Sequence, residues 1–396
     1  LQREGGAAVI ARTSLRGLTP EADLLLALSR VRLSAAEQDR VHDFLGVQGR
    51  SLDWGRFLEL ACAHGVLPLV GRNLVKQRLA HSAQGRALAP YRWIYAYTYE
   101  GNRRRNLALH DEYGKVLRGL NAAGIDYAVR KGPVLTEGVY ADPGVRRMGD
   151  LDVLLAPADL PQFVAVVGDL GYEQGHLSRN AETVVPFDRR TQLVWKVNLT
   201  NSTLPFLKPA QRDDVEVFVL DPCFNLFQPR SGRSVDPADL LARSAPTTHF
   251  GEPSRMLHRV DQVVDQCVQL HVEATTLMYI ELGKDLTLLK FLDLVELLRL
   301  LTAAEVEELA ARVRELDCAD SVHYALHHAA QVYPDDIDAG LVARFDTGDP
   351  ALLDLYGVLD DKPQRWDREF GERLFDTRRW ASLTAHSTVP GPRAVV

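Results

Sequence analysis

Asp150 and Asp152 stand two residues apart in the string RMGDLDVLL. Residues i and i+2 of a β-strand point to the same side of a sheet, so the two carboxylates would lie side by side. Paired hard anions of this kind suit Mg²⁺, with Mn²⁺ as the alternative, because such ions take carboxylate, phosphate and water oxygens together. Upstream, Lys131-Gly132 lies between a β-prone run and a helical one. Glycine allows close backbone approach, and the free amides of a first helical turn favour phosphate. Arg146 and Arg147, with Gly149 beside them, precede the aspartates and are suited to clamping phosphate oxygens. Together these residues imply metal-dependent transfer of a nucleoside monophosphate from a nucleoside triphosphate, the metal bridging attacking and leaving oxygens. Taken alone, an Asp-x-Asp pair is as well explained by a solvated strand edge; the strand–Gly–helix element upstream favours the site.

Positioning these groups takes two strands, a turn, a short helix and a loop, and the chain from residue 124 supplies the pattern. Gly124 reads as a helix C-cap, followed by a β-prone run at 125–129, a helix at 134–140, a loop at 141–149 and a strand at 151–155. Pro157 and Asp159 open an amphipathic helix that Gly171 closes, and strands are expected at 192–199 and 215–220. This order predicts an α+β core over 124–225, with one mixed sheet and helices on one side. Residues 19–123 read as helical, with starts at Thr19-Pro20, Ser34 and Asp53 and one long or two shorter helices over 90–122. Residues 226–345 read as helical again, and the stretch 286–301 is apolar almost all round, so it must be buried. Residues 1–18 are expected to be a loose arm, and 346–396 to hold one helix near 363–375 and a disordered end.

Composition narrows the function classes. A chain of 396 residues is long enough for two or three packed units. Its formal net charge of -7 argues against non-specific nucleic-acid binding, which needs a basic footprint. Tyr91, Trp93, Tyr95, Tyr97 and Tyr99 precede the run Arg103-Arg104-Arg105; an aromatic helix packing on its neighbours explains them better than base stacking. The four cysteines are scattered without CxxC spacing and read as reduced core residues, not a zinc site or disulfide framework. No apolar run reaches the roughly 18 residues of a membrane span, and no leader pattern opens the chain, so a cytoplasmic location without membrane partners is expected.

The segments RKGPVL, DPGVRRMGDLDVLL, PADL and LGY resemble the uncharacterised nucleotidyltransferase family of bacteria. Trp54, Ala61, His64 and the VLPLVGRNL run are similar to its N-terminal helical region, and the likeness extends to Gln269-Leu270-His271 and to 289–297. The resemblance implies a nucleotidyltransferase fold of the DNA polymerase β type, in which a third carboxylate on a neighbouring strand completes the metal site. The family's third strand pattern falls best on 197–200, which places Asn198 where an Asp is expected and Thr200 where a His is expected. Asn coordinates a metal through its carbonyl but takes no proton. Glu216, on the next strand, is the alternative third ligand. The usual Gly-Ser turn is Gly132-Pro133 here, which removes a hydroxyl and an amide from phosphate binding.

Three further residues are candidates for lining the cleft. His271 lies on an apolar helix face and reads first as a core histidine. Lys290 and Asp293 are one turn apart and read first as an ion pair of their own; Glu273, Glu281 and Lys284 read as ordinary surface charge. The leading expectation is an enzyme acting on a nucleoside triphosphate and an unidentified small-molecule, peptide or protein acceptor. The alternatives are a binding or scaffold protein on a degenerate fold, favoured by Asn198, and phosphoryl or pyrophosphoryl transfer at the same site.

Overall fold

The computed structural model of the chain describes residues 10–198, 201–358 and 363–387. The N-terminal helices begin where their caps predict. Thr19 accepts the Ala22 amide at the start of α1 (Pro20–Leu28), and Ser34 and Glu37 form a reciprocal capping box on α2 (Ala35–Gln48). Asp53 caps α3 (Trp54–Ala63), and α4 (Leu67–Lys76) follows directly. Residues 10–18 are not loose. The Ile10 and Ala11 amides donate to the buried Asp23 carboxylate, each at 2.8 Å, and Ser14 N–H donates to the Gln331 carbonyl. The rest of the expected arm lies outside the described residues.

The stretch from 90 forms one long helix, α5 (Arg92–Ala122). Alternating aromatics cannot all share a helix face, and they divide: Tyr95 and Tyr99 are buried, while Trp93 and Tyr97 face outward. Gly124 ends this segment with φ +69°, the left-handed cap expected of it.

The sheet follows: β1 (Tyr127–Val129), β2 (Leu151–Leu155), β3 (Glu173–Leu177), β4 (Val184–Pro186), β5 (Phe206–Pro209) and β6 (Val217–Cys223), with α6 (Leu160–Asp169) between β2 and β3 and α7 (Arg189–Asn198) between β4 and β5. After α8 (Pro237–Arg243), a hairpin of β7 (Ala245–His249) and β8 (Glu252–Met256) returns to the sheet. The eight strands run β4-β3-β5-β6-β2-β1-β8-β7, with β2 parallel to β6 and β1 parallel to β8. The fold is thus α+β with a mixed sheet, as expected.

Three expectations need correction. The segment 192–199 is helical over its described part, not a strand: Asp188 caps α7 by accepting the Thr191 amide at 2.6 Å, which starts a helix although Thr191, Val194, Trp195 and Val197 are β-prone. Within the region read as all helical, residues 245–256 form a hairpin whose two-residue turn, Phe250-Gly251, has φ of 54° and 75°. A turn with both central φ positive matches the twist of its strands, but Phe is not a residue that signals one. Helices also lie on both faces of the sheet. Leu151, Val153 and Leu155 pack with α5 and α6, whereas Ala128 and Leu154 join the core of α8 and the following helix, α9 (Arg259–Thr275).

The remaining helices are α10 (Leu277–Glu281), α11 (Leu288–Leu298), α12 (Ala303–Glu315), α13 (Ala319–Val332), α14 (Ala339–Ala343) and α15 (Phe370–Phe375). The apolar stretch over α11 is buried as expected. The helix expected at 363–375 is confined to α15, because Gln364–Arg365 pairs with Leu355–Tyr356 as a short strand. Of the end expected to be disordered, residues 388–396 lie outside the described residues. Among the described residues, no helix is long and apolar enough to cross a membrane.

Candidate active site

β1 runs into Arg130 and Lys131, and β2 runs antiparallel beside it, Val129 opposite Val153. The Arg130 amide donates to the Asp152 carbonyl at 3.1 Å, so the Lys131-Gly132 turn sits beside the start of β2. Lys131 itself is left-handed, with φ 49°, a conformation that costs energy for any residue with a Cβ and is found disproportionately at functional sites. Beyond Gly132 the chain enters a π-helical turn, Val134–Val139, another feature that clusters at such sites.

Asp150, the residue before β2, lies close enough to Asp152, within it, for the Asp152 charge to bear on its carboxyl. The third carboxylate is Asp221, on β6: the parallel register of β2 and β6 sets Asp152 opposite Asp221. Sequence reasoning missed it because Asp221-Pro222 reads as the end of a strand, whereas β6 continues through Pro222 to Cys223. The sign that could have found it is the apolar run 217–220 ending in a single Asp. Burial raises the Asp150 pKa, and the Asp152 and Asp221 carboxylates raise it further; burial and then Asp152 do the same to Asp221. Among the described residues, neither the Asp150 nor the Asp221 carboxylate has a hydrogen bond or ion pair. Three half-buried or buried carboxylates of like charge, two of them without partners, are a donor set that suits a hard divalent cation. As the side chains stand, no three His, Cys, Asp or Glu groups among the described residues are gathered at metal-holding spacing. The nearest cation is the Lys131 ammonium, 3.3 Å from Asp152. Burial works against its charge, but Asp152, Asp265 and Asp221 outweigh that and raise its pKa.

The loop from 141 to 149 leads into Asp150 and is held from two sides. From α5, Asn102 donates to the Gly144 carbonyl at 2.9 Å, Asn106 to the Pro143 and Arg146 carbonyls at 2.7 Å each, and Arg105 to the Met148 carbonyl. Asn102 and Asn106 are buried because the loop lies across them. Gly144 meets the Tyr99 ring so closely that any Cβ would collide. From α11, Asp293 takes two hydrogen bonds from Arg146, at 2.9 and 2.8 Å, and one from the Tyr140 hydroxyl at 2.7 Å.

The other expected site residues divide. Gly132 and Arg146 lie together, with the Arg146 Nη1 3.6 Å from where a Gly132 Cβ would stand. Arg147 and Gly149 are exposed on the same loop. Glu216 precedes β6, is exposed, and has the opposite strand parity to Asp221, so it does not join the carboxylates. Asn198 ends α7, its side chain lies outside the described residues, and so does Thr200. His271 faces α13, where its Nδ1 pairs with the Ser321 hydroxyl at 2.9 Å and its ring lies against Tyr324. It is a core histidine, away from the carboxylates. Lys290 and Asp293 do not pair with each other. Lys290 pairs with Glu273, which is therefore not plain surface charge, and donates to the Asp285 carbonyl at 2.8 Å.

A second buried pair backs the turn: Arg130 makes a two-pronged contact with Asp265 of α9, Nε to Oδ2 at 3.0 Å, and its third nitrogen meets the Cys223 thiol. A buried pair of this type fixes geometry more than it adds stability. Here it ties the end of β1 to α9 beneath the carboxylates.

No curated protein matches the chain. A family model described as "Uncharacterised nucleotidyltransferase" matches residues 50–334, well over half of it, and spans every element described around the carboxylates. The match supports nucleotidyl transfer as the general role. By the extent of this match, with the Lys-Gly turn and the carboxylate-bearing strands inside it, the chain belongs to the uncharacterised nucleotidyltransferase family.

Proposed function

We propose that the protein is a metal-dependent enzyme that moves a nucleoside monophosphate from a nucleoside triphosphate to a small-molecule, peptide or protein acceptor. The observation that carries this reading is the register of Asp152 with Asp221, with the Asp150 carboxyl close enough to feel both charges. Asp150, Asp152 and Asp221 would hold Mg²⁺ or Mn²⁺, which when bound supplies charge neutralisation at the attacking and leaving oxygens. Lys131, freed from Asp152, is placed to hold phosphate oxygens at the Gly132 turn. Asp221, as the third carboxylate, is the candidate to receive the acceptor's proton. α9 and α11 stand behind the turn, Gln262, Asp265, Gln266 and Leu297 lining a small cavity with Lys131 and Leu135.

The alternative, a scaffold on a degenerate site, rests on Asn198 replacing a carboxylate. Asp221 provides a third carboxylate without Asn198 and weighs against it. The test is pyrophosphate release with each of the four nucleoside triphosphates, Mg²⁺ and a panel of hydroxyl acceptors, for the wild type and for D150A/D152A. Release that depends on Mg²⁺ and is lost in the double variant is expected; unchanged turnover in that variant overturns the assignment. Formation of a nucleoside diphosphate and a phosphorylated acceptor, in place of pyrophosphate, would point to phosphoryl transfer.

A further inference from the structure

We infer that Asp293 of α11 is a positioning residue that holds the Arg146 guanidinium with one edge turned to the Gly132 turn, presetting Arg146 to contact the triphosphate. The inference rests on the nucleotidyl-transfer reading above and adds to it a device in the C-terminal helical part of the chain.

Asp293 is 2% exposed, and its carboxylate is fully engaged. Arg146 Nε donates to Oδ1 and Nη2 to Oδ2, a two-pronged arrangement that fixes the plane of the guanidinium as well as its position. Tyr140 donates to Oδ1 from the end of the π-helical turn. One carboxylate therefore fastens both chain segments that frame the site: the turn that follows Gly132 and the loop that precedes Asp150.

The geometry leaves one nitrogen over. With Nε and Nη2 directed to Asp293, Nη1 has only a long contact, 3.4 Å, to the Arg147 carbonyl. That nitrogen is the one beside Gly132, where the absence of a side chain leaves room for an oxygen. The backbone cannot drift, because Asn106 holds the Arg146 carbonyl at 2.7 Å and Arg105 holds the Met148 carbonyl. Arg146 is thus already immobilised before any ligand arrives, which lowers the ordering cost of each contact it then makes. A latch that only stabilised the fold would not need its spare donor at this turn.

D293N keeps the shape of the side chain and removes its charge and one of the two acceptors facing Arg146. R146M/D293L replaces the pair by apolar groups and avoids an orphaned buried charge, so it guards against failure of D293N to fold. The measurements are the dissociation constants of Mn²⁺ alone and of a non-hydrolysable nucleoside triphosphate with Mg²⁺, on full-length protein whose melting is checked. Both variants are expected to bind Mn²⁺ like the wild type and the triphosphate at least about tenfold more weakly, and in the pyrophosphate-release assay KM should move more than kcat; R146K should bind the triphosphate as weakly, because a lysine has no fork. Wild-type triphosphate affinity in either folded variant overturns the inference and leaves the pair a latch. Equal loss of Mn²⁺ and triphosphate binding also overturns it, since that marks general disruption. A wild type that binds no triphosphate with Mg²⁺ refutes the nucleotidyl-transfer reading itself, and the inference falls with it.

Discussion

Asp152 on β2 and Asp221 on β6 are partners in a parallel strand pair, so two carboxylates far apart in sequence face each other across one sheet spacing. This relationship makes Asp221 the proposed third metal ligand. D221N should lower pyrophosphate release by on the order of 10³-fold, since a lost metal ligand removes several kcal/mol of transition-state stabilisation. N198A and E216A should stay within about threefold of wild type, because neither residue belongs to the proposed set of metal-holding carboxylates. Steady-state assays of the three variants side by side check this; a severe loss in N198A or E216A with D221N unaffected would move the third position elsewhere.

The same three carboxylates repel one another in the absence of metal, and burial adds to the cost. D150N and D221N should therefore be more stable than wild type in chelator, with a melting temperature higher by about 1 °C for each kcal/mol relieved. Addition of Mg²⁺ should raise the wild-type melting temperature and leave D221N nearly unmoved. Differential scanning calorimetry with and without Mg²⁺ measures both effects.

Gly132 separates function from folding. A Cβ there would meet Met148, Arg146 and the Asp150 carbonyl only at ordinary contact distances, 3.5 to 3.9 Å. G132A should melt within about a degree of wild type, because an unstrained Gly→Ala change is at worst neutral to stability. Its affinity for a metal-bound triphosphate should nevertheless fall at least about tenfold, since the methyl fills the space offered to phosphate. Calorimetric titration reports the second quantity, and unchanged affinity would remove Gly132 from the site.

Buried histidines set the acid limit of stability. Burial lowers the His64 pKa to about 3 and the His249 pKa to about 4. His64 is required neutral, because its Nδ1 accepts the Leu288 amide at 3.3 Å. A folded-state pKa below the unfolded one gives stability that is fully present above the unfolded value of about 6.5 and lost as pH falls toward the folded values. Denaturant midpoints should therefore drop between pH 6.5 and 4, each histidine contributing a slope of up to about 1.4 kcal/mol per pH unit. H64Q should show a shallower slope than wild type over that interval.

Where local chemistry decided the outcome, the structure was legible in the sequence. Thr19, Ser34 and Asp53 cap their helices, Gly124 takes its left-handed cap, and β2 lies over the strand expected at 151–155. Where long-range pairing decided it, the residues looked ordinary. Asp221 becomes a site residue only through its register with Asp152, and Asn102, Arg105 and Asn106 only because a loop crosses α5. Asp293 looked like half of a pair within its own helix until Arg146 reached it from the loop. Residues 192–198 failed for a different reason: alternating apolar residues fit a strand, but the Asp188 cap and the lack of a buried side on α7 favour a helix there.

The central claim is that Asp150, Asp152 and Asp221 together make a metal-dependent triphosphate site. Its most direct test is titration of a non-hydrolysable nucleoside triphosphate into wild type and D221N, each in Mg²⁺ and in chelator, read by calorimetry. The account predicts binding to wild type in Mg²⁺, and none in chelator or in D221N. Equal affinity in all four titrations, or full affinity of D221N in Mg²⁺, would contradict it.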